Sequence, residues 1–318
     1  MKEKVLILGI TGQDGSYLAE HLLNQNKEVH GLYRRTSTGN FKNIEHLLND
    51  ITLHQGDLGD PISLYRVIKE VQPTKIFNEA DQDHVGWSYK TPGYSCDITG
   101  KAVADILEIL KETLPNCKYF QPLSSHMFGK TDVSPQNEGT HFNPQSPYAA
   151  AKVFAKCLCH YYRDAHGLFV STATLYNHTS VKKDEDYVLN KIVGGAIRIS
   201  KGQQKDLTLG PIDVEVDYGH ALEYVETFDK ILELDSPEDF IISTGETISL
   251  REVCDIAFSH FDLNFEDHVK YSKEFERPGK MGLLRGDISK AKKMIGFDPK
   301  LKGKALVEKM IQDVLAQR

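Results

Sequence analysis

Val5-Leu6-Ile7-Leu8 is a short, unbroken apolar run that ends directly in Gly9-Ile-Thr-Gly-Gln-Asp-Gly15, and apolar residues then return at helical spacing from Ser16 to Leu23. A run of this kind suits a strand buried on both faces of a parallel sheet. The glycines permit a tight turn, close approach of backbone to a pyrophosphate, and packing of helix on sheet, while the helix N-terminus faces negative charge. Strand, glycine turn and helix together predict the opening of a dinucleotide-binding unit. Gly9, Thr11, Gly12, Gln13, Asp14 and Gly15 are its candidate cofactor contacts.

The pattern repeats along the chain. Glu28 to Tyr33 reads as a second strand and ends in Arg34-Arg35, about twenty residues beyond the glycine turn. An acidic residue here would hold the ribose 2'-hydroxyl of NAD, whereas arginine fits a 2'-phosphate, so NADP is preferred over NAD and Arg35 is a candidate contact. Ile51 to His54 is a third strand, and Gly56-Asp57-Leu58 at its end places Asp57 beside the adenine amine, with Leu58 as its neighbour in the cofactor set. Lys75 to Asn78 and Lys118 to Leu123 are a fourth and a fifth. Between them a helix from about Gly100 to Leu114 gathers Val103, Ile106, Leu107 and Leu110 on one face. This alternation predicts an α/β fold with a doubly wound parallel sheet.

The fifth strand leads into Ser124-Ser125-His126, and Tyr148 and Lys152 lie four apart on the next helix. Residues at that spacing share a helix face, where an ammonium can favour the ionised phenol. Tyr148 is then a candidate base, with Ser124 holding the same substrate oxygen, as proton removal during hydride transfer to a nicotinamide requires.

Composition narrows the alternatives. The chain has 318 residues, 40% hydrophobic and 26% charged, which reads as an ordinary globular protein. A formal net charge of -7 without long basic runs speaks against nucleic acid or an anionic membrane as partner. The five cysteines have no paired metal spacing and read as reduced thiols, with Cys157 and Cys159 in core packing; no metal site is expected. No apolar run approaches membrane-spanning length and the N-terminus enters a strand at once, so a cytoplasmic protein is expected.

The offset between the first two glycines resembles the variant in short-chain dehydrogenase/reductases. Together with Ile44-Glu-His-Leu47, Gly56-Asp-Leu58, Ser146-Pro-Tyr-Ala-Ala-Ala-Lys152, Asn177-His178, Gly219-His220 and Leu284-Arg-Gly-Asp-Ile-Ser-Lys, it resembles the GDP-mannose 4,6-dehydratase family nearly end to end. The resemblance implies a Rossmann domain carrying NADP and a smaller α/β C-terminal lobe that receives a nucleotide sugar, GDP-linked in the family. It implies oxidation at C4 by a tyrosine and lysine matching Tyr148 and Lys152, elimination of water across C5 and C6, and return of hydride to C6. Ser124 stands where the family has threonine, while His178 and Tyr94 fall on cofactor-side residues. Lys183, in the pair that replaces two arginines, belongs to the same set. Asn177, Val188, Lys191 and Arg277 are the implied substrate contacts, with Arg285 a further candidate for the diphosphate, and a homodimer or homotetramer is implied as well.

The departures from the family are local. Ser125-His126 replaces Ser-Glu, so the carboxylate expected at C5 and C6 is absent; His126 can move protons near neutral pH and is the candidate in its place. Glu79, Asp81 and Asp83 stand where the family has small and apolar residues against the cofactor. Three carboxylates near a pyrophosphate weaken binding unless they turn outward, are paired or are protonated. Val216 replaces an arginine. The expected division is 1–176 with roughly 214–244 as the dinucleotide body, and 177–213 with 245–318 as the lobe. Two functions fit this pattern: a dehydratase, with C4 oxidation or epimerisation as nearest variants, or a non-catalytic relative that binds and assembles.

Overall fold

The computed structural model describes residues 2–37, 39–276 and 281–316. In the first part, β1 (Lys4–Leu8), α1 (Gln13–Asn24), β2 (Glu28–Tyr33), β3 (Thr52–Gln55), α2 (Pro61–Val71) and β4 (Lys75–Asn78) succeed one another. Then come α3 (Val85–Ser88), α4 (Pro92–Cys96), α5 (Ala102–Thr113), β5 (Lys118–Ser124), α6 (Pro147–His166) and β6 (Val170–Leu175). The remainder holds β7 (Asn177–Thr179), α7 (Val188–Ser200), β8 (Leu207–Leu209), β9 (Glu215–Val216), β10 (Tyr218–His220), α8 (Ala221–Leu232) and β11 (Asp239–Ile242). It closes with β12 (Ile248–Ser249), α9 (Leu250–Ser259), β13 (Val269–Tyr271), α10 (Ser289–Ile295) and α11 (Gly303–Ala316).

Seven strands form one parallel sheet in the order β11-β6-β5-β4-β1-β2-β3. The order turns back between β1 and β4, and ligand crevices in such sheets open at the carboxyl ends of the strands on either side of that point. The pleat explains why β1 has no polar position after Lys4. Val5 and Ile7 pack with Leu18, Leu22 and Phe228 on one face, and Leu6 and Leu8 with Leu64, Ile68, Ile106 and Ala155 on the other.

Helix starts are set by local chemistry. Asp60 caps α2 ahead of Pro61, and Ser146 caps α6 ahead of Pro147 by accepting from the amide of Ala149 at 3.1 Å. Ser249 and Glu252 form the capping box that the sequence shows, at the start of α9. The short pairs β7–β10, β8–β13 and β9–β12 lie outside the main sheet, and α7, α9 and α11 enclose a separate apolar cluster with Val193, Ala257 and Met310. Two segments cross the boundaries expected from sequence. Helix α10 contributes Ala291 to the cluster against the sheet, and β9 pairs with β12, placing Val216 against the lobe core. Cys159 is buried as expected, but Cys157 is exposed, since residues two apart on a helix face different ways. No helix among the described residues is long and apolar enough to cross a membrane.

Asp217, fully buried just before β10, ties the lobe to the sheet. Its carboxylate accepts from the amide and hydroxyl of Thr244 at 2.8 and 2.7 Å, and from the amides of Gly245 and Gly286 at 3.1 and 3.3 Å. Asp217→Asn turns an amide group toward these donors. The urea midpoint is expected to fall, with a loss of about 1–3 kcal/mol for each donor left unsatisfied. An unchanged midpoint would show that Asp217 does not join the two parts.

Candidate active site

The carboxyl ends of β1, β4 and β5 bring the sequence candidates to one crevice. Gly9 leaves β1 with φ +79°, and a Cβ there would lie 2.5 Å from the carbonyl oxygen of Glu79 and 2.6 Å from the Cα of Ala80. The loop after β4 therefore rests directly on the glycine turn, which only glycine allows. At Gly15 a Cβ would lie 2.4 Å from the Gly9 carbonyl oxygen, so α1 starts tight against the turn. Gly12 is exposed at the N-terminus of α1, with Thr11 half-buried beside it and Gln13 buried, its side-chain carbonyl accepting from Ser180 at 2.9 Å. Arg34 and Arg35 are exposed beyond β2, Arg34 donating to the Tyr94 hydroxyl at 2.8 Å. Asp57 accepts from the amide of Gly59 at 2.8 Å in the turn after β3, beside the buried Leu58.

Ser124 ends β5 and caps a short 3-10 turn, accepting from the amide of the half-buried His126 at 3.2 Å. Tyr148 is buried in the first turn of α6, near enough to Ser124 for that side chain to favour the ionised phenol. One helical turn on, Lys152 is buried, with Nζ 5.8 Å from the Tyr148 ring centre and donating to the Pro122 carbonyl at 2.6 Å. Lys152 also forms an ion pair with Asp81 of the loop after β4. Burial and the negative charges of Asp81 and Asp83 push the Tyr148 phenol well above its ordinary range, and Ser124 opposes them only in part.

The other two loop carboxyls are settled differently. Burial and nearby Asp14 raise Glu79 well above the usual carboxylate range, and its Oε1 is shielded from solvent without a hydrogen-bond partner, so its surroundings favour the neutral form. Asp83 has a half-exposed side chain; burial works against its charged form, but Lys183 and the Tyr187 hydroxyl, 2.7 Å away, prevail and lower it. Lys183 in turn lies 4.1 Å from the Tyr187 ring centre. Lys182 is turned away, paired with Glu20 at 2.6 Å and seated over the Tyr17 ring. Thus one loop of the body holds cations of α6 and of the segment after β7.

Asp14 and His178 meet across the crevice at 2.8 Å, with the other ring nitrogen of His178 2.9 Å from the Tyr176 carbonyl. Both partners can only accept, so both ring nitrogens carry protons and the ring is an imidazolium. Burial opposes both charges, yet each holds the other: Asp14 lies at about 2, and His178 is raised above its ordinary 6.5. Asn177 lies on β7, Val188 opens α7, and Lys191 sits 3.9 Å from the ring centre of Phe275. The backbone of Arg285 pairs with Gln136. Arg277 lies outside the described residues.

Tyr187 was not among the sequence candidates; the acidic loop signalled that something must neutralise it, but not which residues. The Asp14–His178 pair contributes stability in full between about 3.8 and 6.5, loses it below as Asp14 protonates and above as His178 deprotonates. In Asp14→Asn the main opposition to the burial of His178 is lost, and its ring-proton NMR titration is expected to move down from that of the unaltered protein. A midpoint that stays where it is in the unaltered protein would contradict the pairing.

Comparison with known proteins shows the family. The sequence model of the family described as GDP-mannose 4,6 dehydratase matches residues 6–310. GDP-mannose 4,6 dehydratase 1 of Arabidopsis thaliana is 39% identical, covering 98% of this chain and 89% of its own; the Homo sapiens protein is 37% identical, covering 96% and 90%. GDP-mannose 4,6-dehydratase of Vibrio cholerae is 34% identical over all of this chain and 96% of its own. Among solved structures, UDP-glucose 4-epimerase of Thermotoga maritima superposes with a TM-score of 0.87 at 19% identity, covering 99% of both chains. dTDP-glucose 4,6-dehydratase of Bacillus anthracis does so at 0.86 and 19%, covering 99% and 97%. These two share the fold. With a match from residue 6 to residue 310 and relatives above 30% identity along nearly the whole length, the chain belongs to the GDP-mannose 4,6-dehydratase family.

Proposed function

We propose that this chain is a nucleotide-sugar 4,6-dehydratase that works with a nicotinamide dinucleotide, NADP in preference to NAD, on a GDP-linked sugar. The observation that carries the reading is the burial of Tyr148 near Ser124 with Lys152 one helical turn away, above the carboxyl edge of a seven-stranded parallel sheet. The crevice fits the adenosine and pyrophosphate half of the dinucleotide. Gly9 and Gly15 leave no room for side chains, Gly12 is open at the N-terminus of α1, Asp57 stands at the end of β3, and the exposed Arg34 and Arg35 suit a 2'-phosphate. Tyr148, Lys152, Tyr94, His178 and Lys183 would serve the remainder.

When bound, the dinucleotide supplies a temporary hydride acceptor. Ser124 holds the sugar 4-hydroxyl and Tyr148 takes its proton; Lys152 supports the phenol's negative charge once it is free to do so. His126 stands two residues after Ser124 and is only half-buried, so it can take the C5 proton and return one to the departing 6-hydroxyl. Asn177, Val188, Lys191 and Arg277 are proposed to hold the nucleotide sugar in the lobe. Self-association into a dimer or tetramer belongs to the same reading. The non-catalytic reading has one observation in its favour: Asp81 occupies Lys152.

GDP-mannose and a panel of other nucleotide sugars, incubated with NADP or NAD in deuterated water, should yield a product lacking one water and carrying deuterium at C5. Tyr148→Phe should lower that rate about a hundredfold or more, and His126→Ala about a hundredfold, with His126→Glu restoring much of it. Conversion at C4 without loss of water would replace the dehydratase by an oxidoreductase or epimerase. No conversion of any sugar would favour binding without turnover.

A further inference from the structure

The loop that joins β4 to α3 carries Glu79, Asp81 and Asp83 over the carboxyl ends of β1 and β4, and its backbone is fixed there by contact with Gly9. Its carboxylates do not point into water at random. Asp81 pairs with Lys152, whose side chain is 3% exposed against 11% for Asp81, and Asp83 pairs with Lys183 and the Tyr187 hydroxyl. His178, the third cation of the crevice, is held by Asp14. A dinucleotide brings negative phosphates and ribose hydroxyls to this crevice, and both are ligands for the same ammonium groups.

We propose that the Glu79–Asp83 loop is a tethered anion that competes with the dinucleotide for Lys152 and Lys183, so that Asp81 and Asp83 set how tightly a nicotinamide dinucleotide is held. This rests on the proposed dinucleotide-dependent activity. Asp81 and Asp83 are affinity-determining groups: they hold the two lysines that a dinucleotide would otherwise engage. They must release their lysines before a phosphate-bearing ligand is seated. Glu79, whose surroundings favour its neutral form, opposes the dinucleotide less than the other two.

The test uses the full chain and its Asp81→Asn, Asp83→Asn and double variants, with NADP and NAD as probes in titration calorimetry. Trp87, the single tryptophan of the chain, stands three residues beyond His84 at the loop's end, its ring 5.7 Å from the His84 ring, and reports loop movement by its emission. Removing both carboxylates should tighten binding about tenfold or more, and binding to the unaltered chain should shift the Trp87 emission. Equal affinity in the unaltered and double-variant proteins overturns the competition while leaving the dinucleotide reading in place. Absence of binding by every form, each with a native circular dichroism spectrum, overturns both. Asp83→Asn alone, altering a half-exposed side chain, keeps the test decisive if the buried change at Asp81 prevents folding.

Discussion

A buried ammonium must find negative charge or lose its proton, and Lys152 is buried near the centre of this molecule's crevice. In the free protein it has two partners, the Pro122 carbonyl at the end of β5 and the carboxylate of Asp81 on the loop after β4. That single ion pair joins α6 to the loop that lies on the glycine turn. The loop's other end holds the segment after β7 through Asp83, Lys183 and Tyr187. The crevice is thus spanned by ion pairs, and burial first, then those same carboxylates, raise the Tyr148 phenol well above its ordinary range.

The two ends of the crevice are consequently unlike. Where adenosine and pyrophosphate are proposed to lie, the determinants are steric and dipolar: glycines without room for a Cβ, the open N-terminus of α1, and exposed arginines. At the chemical end the determinants are paired charges, and each cation already has an internal acid. On the proposed competition, occupancy of this end depends on breaking those ion pairs.

Much of the body was legible in the sequence because its signals are local. The unbroken run Val5–Leu8, the glycine turn and the spacing of Val103, Ile106, Leu107 and Leu110 each report burial within a few residues. Tyr148 and Lys152 were legible for the same reason, as neighbours on one helix face. The partners of the acidic loop were not, because Asp83 meets a lysine 100 residues away and Asp14 a histidine 164 away, and no spacing rule connects such pairs. The packing of α10 was not legible either, because its short apolar content gives no sign of whether it packs on the sheet or beyond it. His126 carries the least information: its place after Ser124 is fixed by β5, while its role depends on a substrate whose position no residue pattern encodes.

The most direct measurement is a double-mutant cycle between Asp81 and Lys152, using Asp81→Asn, Lys152→Met and the double variant in urea unfolding. If the buried pair organises the crevice, each single change leaves a charge uncompensated and the coupling should reach about 2 kcal/mol or more. A coupling near zero would mean that Lys152 is satisfied without Asp81, and that the loop lies over the site without controlling it.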